Sequence, residues 1–587
     1  MILNLTPEQI KGKIDYIKKY ANASNSADGS LVDSNANVDT KNIGILEAEL
    51  YKPETIQINR EIVKQKLESM FPGMGAQYIK DIESHIIYIH DETSLRPYCA
   101  SITLFPFLLN GTKPLGGTSK APKNLHSFCG SFVNLVYQVA SGFAGAVATV
   151  EFLLYFDYFA KKTYGADYLT TNKKDIEQSL QGVVYALNQP ASARGNQSVF
   201  WNISVLDRHY FEHLFGTFHF PDGSQVQYNG SFRALQYLFM EWFRKEREKE
   251  LLTYPVLTAS MLIDDEGTPV DTEFAEMCAE EMAKGLSFFV YESKSVDSLA
   301  SCCRLRNELS DNTFSYTLGA GGVSTGSVQV ITLNMNRLVQ QREDTVSDVV
   351  SRVHKYLLAH RAVIVDYMNS GLLPAYTAGF INIDKQFLTV GINGMLEASE
   401  FLHGKPDIDF YRDTLKTIYL LNKEDGQRYK VKYNTEFVPA ENLGVKNAKW
   451  DKEDGLVVPR DCYNSYFFPV ESSEYSIIDK LDMHGTRTTA FLDGGAACHL
   501  NLAQLLTKKQ AYKLMCLAGK KGVNYWTFNC LMTICDDCGY INVNTENHCT
   551  KCGSTNVGYA TRVIGYLKRI DSFSTARQKE AFKRHYT

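Results

Sequence analysis

Apolar and polar positions repeat with two periods along this chain, and the period changes from segment to segment. Thr6-Pro7 opens a stretch to Tyr20 with helical spacing, the threonine placed to cap and the proline at the first helical position. Residues 22–39 are polar and rich in Asn, Ser and Asp, which predicts a loop or a short ordered arm. Helical spacing returns at 56–70. Through the middle, short apolar runs of strand type (287–291, 328–333, 380–383) are interleaved with amphipathic stretches such as 344–369 and 397–403. That alternation predicts an α/β layer or barrel. Residues 405–461 are more charged, and the alternation in Tyr429-Lys430-Val431-Lys432-Tyr433 predicts a strand in a hairpin-like region. No internal repeat of fixed period is present.

Residues 128–150 carry no charge and approach the roughly 20 residues of a spanning helix. Asn134 and Gln138 within the run, the absence of a second run and the lack of a positive flank predict a buried core helix instead. The first twenty residues mix charge with apolar side chains and lack a secretory signal pattern.

Composition adds bounds. The 587 residues are 44% hydrophobic and 22% charged, an ordinary globular profile. The length suggests about three or four units of roughly 150 residues, or one large barrel with appendages. The formal net charge of −5 argues against a general nucleic-acid binder. Thirteen cysteines, unevenly spread, do not form a secreted disulfide framework. They fit a reducing, cytoplasmic setting with metal binding or thiol chemistry. Three segments are expected: an N-terminal helical part (1–75), a catalytic α/β unit (76–515) and a cysteine-rich C-terminal region (516–587).

Cys535, Cys538, Cys549 and Cys552 form two Cys-x-x-Cys pairs with ten residues between them. Each pair turns two thiolates to one side of a tight knuckle, and two knuckles complete a tetrahedral zinc site of structural type. Gly539 and Gly553 follow the second cysteine of each pair, where the turn needs a left-handed residue. Gly565, within Arg562-Val563-Ile564-Gly565-Tyr566, comes thirteen residues after Cys552. The segment reads equally as a packed strand or loop and as a radical site. A Cα radical is delocalised over its flanking amides and needs a planar centre, which glycine alone leaves uncrowded. Such a radical needs a buried thiol to pass a hydrogen atom onward. The adjacent Cys302-Cys303 supplies candidates, and buried small hydrophobes are the plain alternative. Cys99 is a third thiol. Gly116-Gly117-Thr118-Ser119-Lys120 offers amides, hydroxyls and one cation for an anion cradle, with Ser119 and Lys120 as substrate ligands. Arg194-Gly195 with Gln197 is another candidate, and the glycine-rich run at 319–326 a weaker one, lacking a P-loop lysine.

Further stretches complete a pattern: Asn35-Ala36-Asn37-Val38-Asp39, His90-Asp91-Glu92, Phe128-Cys129-Gly130-Ser131-Phe132 and Gly391-Ile392-Asn393-Gly394. With the four-cysteine clip and the Gly565 segment they resemble the anaerobic (class III) ribonucleoside-triphosphate reductases, a glycyl radical enzyme family. The resemblance implies a ten-stranded α/β barrel around a central finger loop, with the thiyl residue at Cys303 or Cys302. Cys303 is favoured because it directly precedes the arginine. It further implies that the Gly565 radical takes hydrogen from this thiol, that the thiyl takes the ribose 3′ hydrogen, and that the 2′ hydroxyl leaves as water. Cys99 would return a hydrogen atom, with formate as final reductant. Glu471 would move protons at the ribose hydroxyls, with Tyr466 supporting it; the plain reading of Glu471 is a solvent-facing loop carboxylate. The resemblance also implies a homodimer with a dNTP or ATP effector site. It implies a separate activase using S-adenosylmethionine and a [4Fe-4S] cluster, and a cytoplasm of bacterial or phage-infected host origin.

Two departures stand out. Only about ninety residues precede Asp91, too few for the N-terminal ATP-binding regulatory domain of longer relatives, so no on/off switch is expected. Gly321-Gly322 also stands where relatives often carry an asparagine. Two other readings remain at this point. A pyruvate formate-lyase-like acyltransferase suits Cys302-Cys303 but leaves Cys99 and the clip unexplained. A zinc-ribbon nucleic-acid binder has only Lys551 as a basic residue between Cys535 and Cys552. No membrane association and no stable nucleic-acid binding are expected.

Overall fold

The computed structural model describes residues 5–33, 35–38, 41–191, 195–296, 298–300, 306–308, 324–438 and 441–587. Its centre is a ring of strands. We number them β1 (Cys99–Ser101), β2 (Val147–Ala148), β3 (Trp201–Leu206), β4 (Val256–Leu262), β5 (Phe289–Ser293), β6 (Thr325–Asn334), β7 (Phe387–Asn393), β8 (Lys432–Glu436), β9 (Cys498–Asn501) and β10 (Tyr525–Asn529). Strands β1 to β5 are parallel neighbours in sequence order. Strands β6, β7 and β8 are parallel, as are β9 and β10. The two halves meet antiparallel at β1/β6 and β5/β10. The ring closes between β8 and β9, where Glu436 bridges Gly495 in parallel and the Gly494 amide donates to the Thr435 carbonyl at 2.8 Å. The result is a ten-stranded α/β barrel made of two five-stranded halves, as the resemblance implies. An eleventh strand, Ile87–Ile89, pairs antiparallel with the far end of β6.

Helices fill the parallel crossovers, as this topology requires. Leu125–Ser141 links β1 to β2, Val346–Asn369 links β6 to β7, and Lys508–Lys521 links β9 to β10. Capping boxes at Asn124/Ser127, Thr345/Asp348 and Thr507/Gln510 set their starts. The uncharged run at 128–150 forms the core helix Leu125–Ser141 and then β2, and no helix among the described residues is long and apolar enough to cross a membrane. At the N-terminus, Thr6 caps Pro7–Asn22 as expected. The arm that follows touches the far end of the chain, with Asn25 Nδ2 donating to the Asp571 and Phe573 carbonyls, both at 3.0 Å.

Four expectations change. The region 405–461 is not a hairpin. Asp407 caps a long helix, Ile408–Tyr429, whose Tyr411, Leu415, Ile418, Asn422 and Asp425 recur on one buried face, and β8 then pairs in parallel. Apart from Asp425, its charged residues lie off that buried face, which masked the period. The strand placed at 380–383 lies instead at β7, and the helix placed at 56–70 begins at Ile43 and carries Pro53 within it. The barrel also continues past residue 515, because β10 lies at Tyr525–Asn529.

After β10 a small sheet follows: β11 (Met532–Cys535), β12 (Ile541–Asn542), β13 (Val557–Arg562) and β14 (Leu567–Arg569), antiparallel in the order β12-β11-β13-β14. Gly565 lies in the turn between β13 and β14.

Candidate active site

The two faces of the barrel strands differ in polarity. Register places Trp201, Ile203, Val205, Leu257, Ala259 and Val290 on the outer face, under the helices. Cys99, Ser101, Asn202, Ser204, Thr258, Asn501 and Asn529 share the inner one. A lumen lined by hydroxyls, amides and a thiol is a site for a polar ligand, since buried polar atoms demand partners. Ser101 Oγ and Asn202 Nδ2 have no hydrogen-bond partner among the described residues, although both side chains are buried.

Cys99 opens β1 on this inner face, buried beside Ala146, with Phe200 and Phe387 packed on the pair. Its backbone is held closely. Gln386 donates to the Cys99 carbonyl at 3.2 Å, and Gln386 is itself bonded by the Tyr376 hydroxyl. A Cβ on Gly326 would stand 2.1 Å from that carbonyl oxygen, so β6 can lie against β1 only with glycine there.

The turn at 563–566 enters the barrel wall from the small sheet. Asn529 on β10 donates to the Arg562 carbonyl at 3.3 Å, and the buried Arg562 guanidinium lies over the Phe289 ring at 5.0 Å. Arg584, just past the C-terminal helix Thr575–Lys583, donates to the Arg562 and Val563 carbonyls at 3.2 and 2.6 Å. Glu580 pairs with Arg584 at 2.9 Å and with Arg577 at 3.5 Å. Gly565 is buried, and Arg562 Nη1 donates to its carbonyl at 3.3 Å. The neighbouring Tyr566 ring meets Phe200 edge-on at 5.4 Å. Phe200 therefore joins the Cys99 cluster to the Gly565 turn.

A carboxyl completes this neighbourhood. Tyr566 donates to Glu441 Oε2 at 3.2 Å, and the Ala36 amide donates to the same oxygen at 2.7 Å. Burial pushes the Glu441 carboxyl up to about 7, against the opposing pull of the Ala36 amide and the Arg577 charge. Burial, and then Glu441, push the Tyr566 phenol well above its usual range. Asn37 accepts from the Tyr254 hydroxyl at 2.6 Å, and the Tyr254 ring lies 6.2 Å from that of Tyr566. The Asn35–Val38 stretch thus lines this corner, a role its sequence alone did not disclose.

The four clip cysteines converge. Their sulfurs lie within 4.8 Å of one another, with Cys535–Cys552 and Cys538–Cys549 both at 3.6 Å. A tetrahedron with zinc–sulfur bonds of about 2.3 Å has edges of about 3.8 Å, so the cluster fits that ion. Gly539 and Gly553 adopt positive φ, 71° and 77°, as the knuckles require. This four-cysteine cluster, which could hold zinc as in a zinc ribbon, is built into the sheet that presents Gly565.

A family model described as anaerobic ribonucleoside-triphosphate reductase matches residues 47–586. The chain belongs to that family. Among solved structures, an anaerobic ribonucleotide reductase is 27% identical with a TM-score of 0.85, covering 99% of this chain and 92% of its own. The Thermotoga maritima anaerobic ribonucleotide reductase, solved in complex with dATP and CTP, is 26% identical with a TM-score of 0.83, covering 99% of this chain and 100% of its own. A glycyl radical enzyme from Archaeoglobus fulgidus, 11% identical with a TM-score of 0.50 over 92% of this chain and 74% of its own, shares the fold. A comparison with curated proteins gave no match. The protein is thus a reductase of ribonucleotides working by radical chemistry within the glycyl radical fold.

Against that frame of family and fold, the expected site residues of this reductase fall in different places. Phe200 packs on Cys99 on one side and meets Tyr566, the residue after Gly565, on the other. Cys302, Cys303 and Arg194 lie outside the described residues; the backbone strands on either side of the thiols, Ser298–Ala300 and Arg306–Glu308, pair antiparallel between β5 and β6. Ser119 and exposed Lys120 sit in a surface turn, where the Ser119 amide already donates to Thr112 Oγ1 at 3.3 Å. Glu471 is exposed and bound by Arg460 at 3.1 Å, and Arg460 also holds Glu397 and Glu400 at 2.6 and 2.8 Å. Tyr466 is buried, its ring 5.4 Å from that of His499 and beneath Arg584 at 5.9 Å. Sequence reasoning missed Glu441, Arg584 and Phe200, since no period or spacing marks a residue whose role comes from long-range contact.

Proposed function

We propose that this chain reduces ribonucleoside triphosphates to 2′-deoxyribonucleoside triphosphates for DNA synthesis, with formate as the reductant. The observation that carries the reading is the junction at Phe200, where a buried glycine turn meets a thiol at the edge of a polar lumen. Gly565 stores the radical, and Cys303, or Cys302, exchanges a hydrogen atom with it. The resulting thiyl takes the ribose 3′ hydrogen. Loss of the protonated 2′ hydroxyl as water leaves an oxidised sugar radical. Cys99 gives it a hydrogen atom, and formate supplies the remaining reducing equivalents and leaves as carbon dioxide. The balance is one triphosphate, one formate and one proton in, and one deoxy product, one water and one carbon dioxide out.

The proton traffic fits Glu441 better than Glu471. Glu441 is buried beside Tyr566 with a carboxyl poised near neutral pH, as a group that both gives and takes a proton must be. Ser101 and Asn202 are suited to the ribose hydroxyls, because their free hydrogen-bonding atoms face the lumen. Ser119, Lys120 and Arg194 remain assigned to the triphosphate. The four-cysteine clip binds zinc and shapes the radical-bearing sheet. A separate activase with S-adenosylmethionine and an iron–sulfur cluster makes the radical, a dNTP or ATP effector tunes substrate choice in a homodimer, and the setting is cytoplasmic.

The test is anaerobic turnover of activated enzyme with CTP. Formation of dCTP that requires formate, with one carbon dioxide per product, and that is lost in Cys99→Ser, is expected. Turnover at the full rate without formate would remove formate from the reading, and no dCTP from a radical-bearing enzyme would sink the substrate assignment.

A further inference from the structure

Two buried arginines stand beside the Gly565 turn without an acid. Arg562 is 1% exposed and Arg247 4%. Among the described residues no carboxylate pairs with either. Arg562 donates to Ser287 Oγ and O, both at 2.9 Å, and to the Gly565 carbonyl at 3.3 Å. Arg247 donates to the same Ser287 carbonyl at 2.8 Å, and to those of Leu252 and Thr253 at 2.9 and 3.4 Å. Each lies over a phenylalanine ring, Phe289 and Phe243 respectively. Burying a guanidinium without a counter-charge is costly, and burial together with the second arginine pulls the Arg247 pKa well down. Arg247 gains some relief in the last turn of its helix, where the macrodipole favours a cation. Arg562 has no such relief. Nearby Arg584 has a carboxylate partner, Glu580 at 2.9 Å, which Arg577 shares at 3.5 Å, whereas Arg562 and Arg247 pair with none among the described residues.

The chemistry of a glycyl radical gives that charge a use. The unpaired electron spreads from Cα to the carbonyl, while the amide nitrogen lone pair pushes electron density the same way. The carbonyl oxygen therefore gains both spin and negative charge when Cα loses its hydrogen. A donor fixed at that oxygen stabilises the radical more than the parent glycine, as a fixed dipole does at any centre of developing charge. The 3.3 Å separation is long for a ground-state bond, which leaves room for it to strengthen.

We propose that Arg562 is a positioning residue for the radical: its guanidinium holds the Gly565 carbonyl in plane and stabilises the charge arriving there, with Arg247 adding to the same positive field. This rests on the assignment of the radical to Gly565.

The experiment uses the full-length protein, activated anaerobically, as wild type, Arg562→Met and Arg247→Met. Folding is checked by zinc content and circular dichroism. High-field electron paramagnetic resonance reads the g-anisotropy, and electron–nuclear double resonance in heavy water reads exchangeable deuterons near the radical. Wild type and Arg247→Met should show a deuteron coupled through the carbonyl hydrogen bond, and Arg562→Met should lack it. The radical half-life should fall at least about tenfold in Arg562→Met, the loss expected for one charge-assisted hydrogen bond, and by less in Arg247→Met. Wild-type g-values, coupling and lifetime in Arg562→Met overturn the proposal. If Arg562→Met does not fold or is not activated, Arg247→Met decides, and a wild-type g-tensor and lifetime there overturn it. Absence of a glycine-centred signal in wild type sinks the Gly565 assignment beneath it, whereas a wild-type signal with unaltered variants sinks this proposal alone.

Discussion

Replacing Glu441 by glutamine should remove a proton that the protein binds near neutral pH. In the folded chain the carboxyl is raised from 4.5 to about 7, chiefly by burial. A rise of this size corresponds to about 3 kcal/mol between the charged and neutral forms. The sign follows from linkage. The folded-state pKa exceeds the unfolded one, so folding takes up a proton between them. The contribution is complete below the unfolded value and is lost as the pH climbs through about 7. Glutamine keeps a carbonyl to accept from Ala36 and Tyr566, so the contacts at Oε2 survive while the titration does not. Infrared difference spectra of wild type against Glu441→Gln, followed across pH, should show a protonated carboxyl disappearing with a midpoint near 7. The kcat/KM profile should lose its limb near the same pH in the variant. A midpoint in the ordinary carboxylate range, or a profile unchanged by the substitution, would refute the placement of the proton.

Three further outcomes are expected. Cys535→Ser should lose zinc and most of the radical yield while CTP binding, measured by calorimetry, changes little; full radical yield in zinc-free protein would separate the ribbon from the radical. Gly326→Ala forces a methyl to within 2.1 Å of the Cys99 carbonyl, and overpacking of this kind costs about 1–3 kcal/mol. Product formation should fall with the glycine-centred signal retained, and an unimpaired variant would show that β1 can yield. Arg584→Gln should leave Glu580 only its longer pairing with Arg577, at 3.5 Å, and free the carbonyls before Gly565, raising proteolysis within 535–567 before activation and shortening the radical's life. Equal proteolysis would locate the hold on this turn elsewhere.

Local chemistry was legible along the sequence, and long-range assembly was not. The Cys-x-x-Cys spacing and its two glycines led directly to the ribbon, because four ligands and two left-handed turns are set by neighbours in sequence. The capped helix at Pro7–Asn22 and the core helix at Leu125–Ser141 were readable for the same reason. The strand–helix alternation indicated an α/β layer or barrel. The closure of β8 on β9 depends on Glu436 and Gly495, for which no periodicity speaks. Glu441 shows the limit at the site. It stands in a charged, mostly helical region, and it becomes a buried acid only because Ala36 and Tyr566, from opposite ends of the chain, arrive beside it. Glu471 has more conspicuous apolar and aromatic neighbours in sequence, yet it sits exposed on Arg460.

The central claim is that Gly565 carries the radical. The most direct measurement is the electron paramagnetic resonance spectrum of the anaerobically activated protein, made with ordinary glycine and with glycine deuterated at Cα. A doublet in the first sample that collapses to a singlet in the second, and is absent from Gly565→Ala activated alongside, is the predicted result. A doublet that survives in Gly565→Ala, or one that deuteration leaves unchanged, would contradict it.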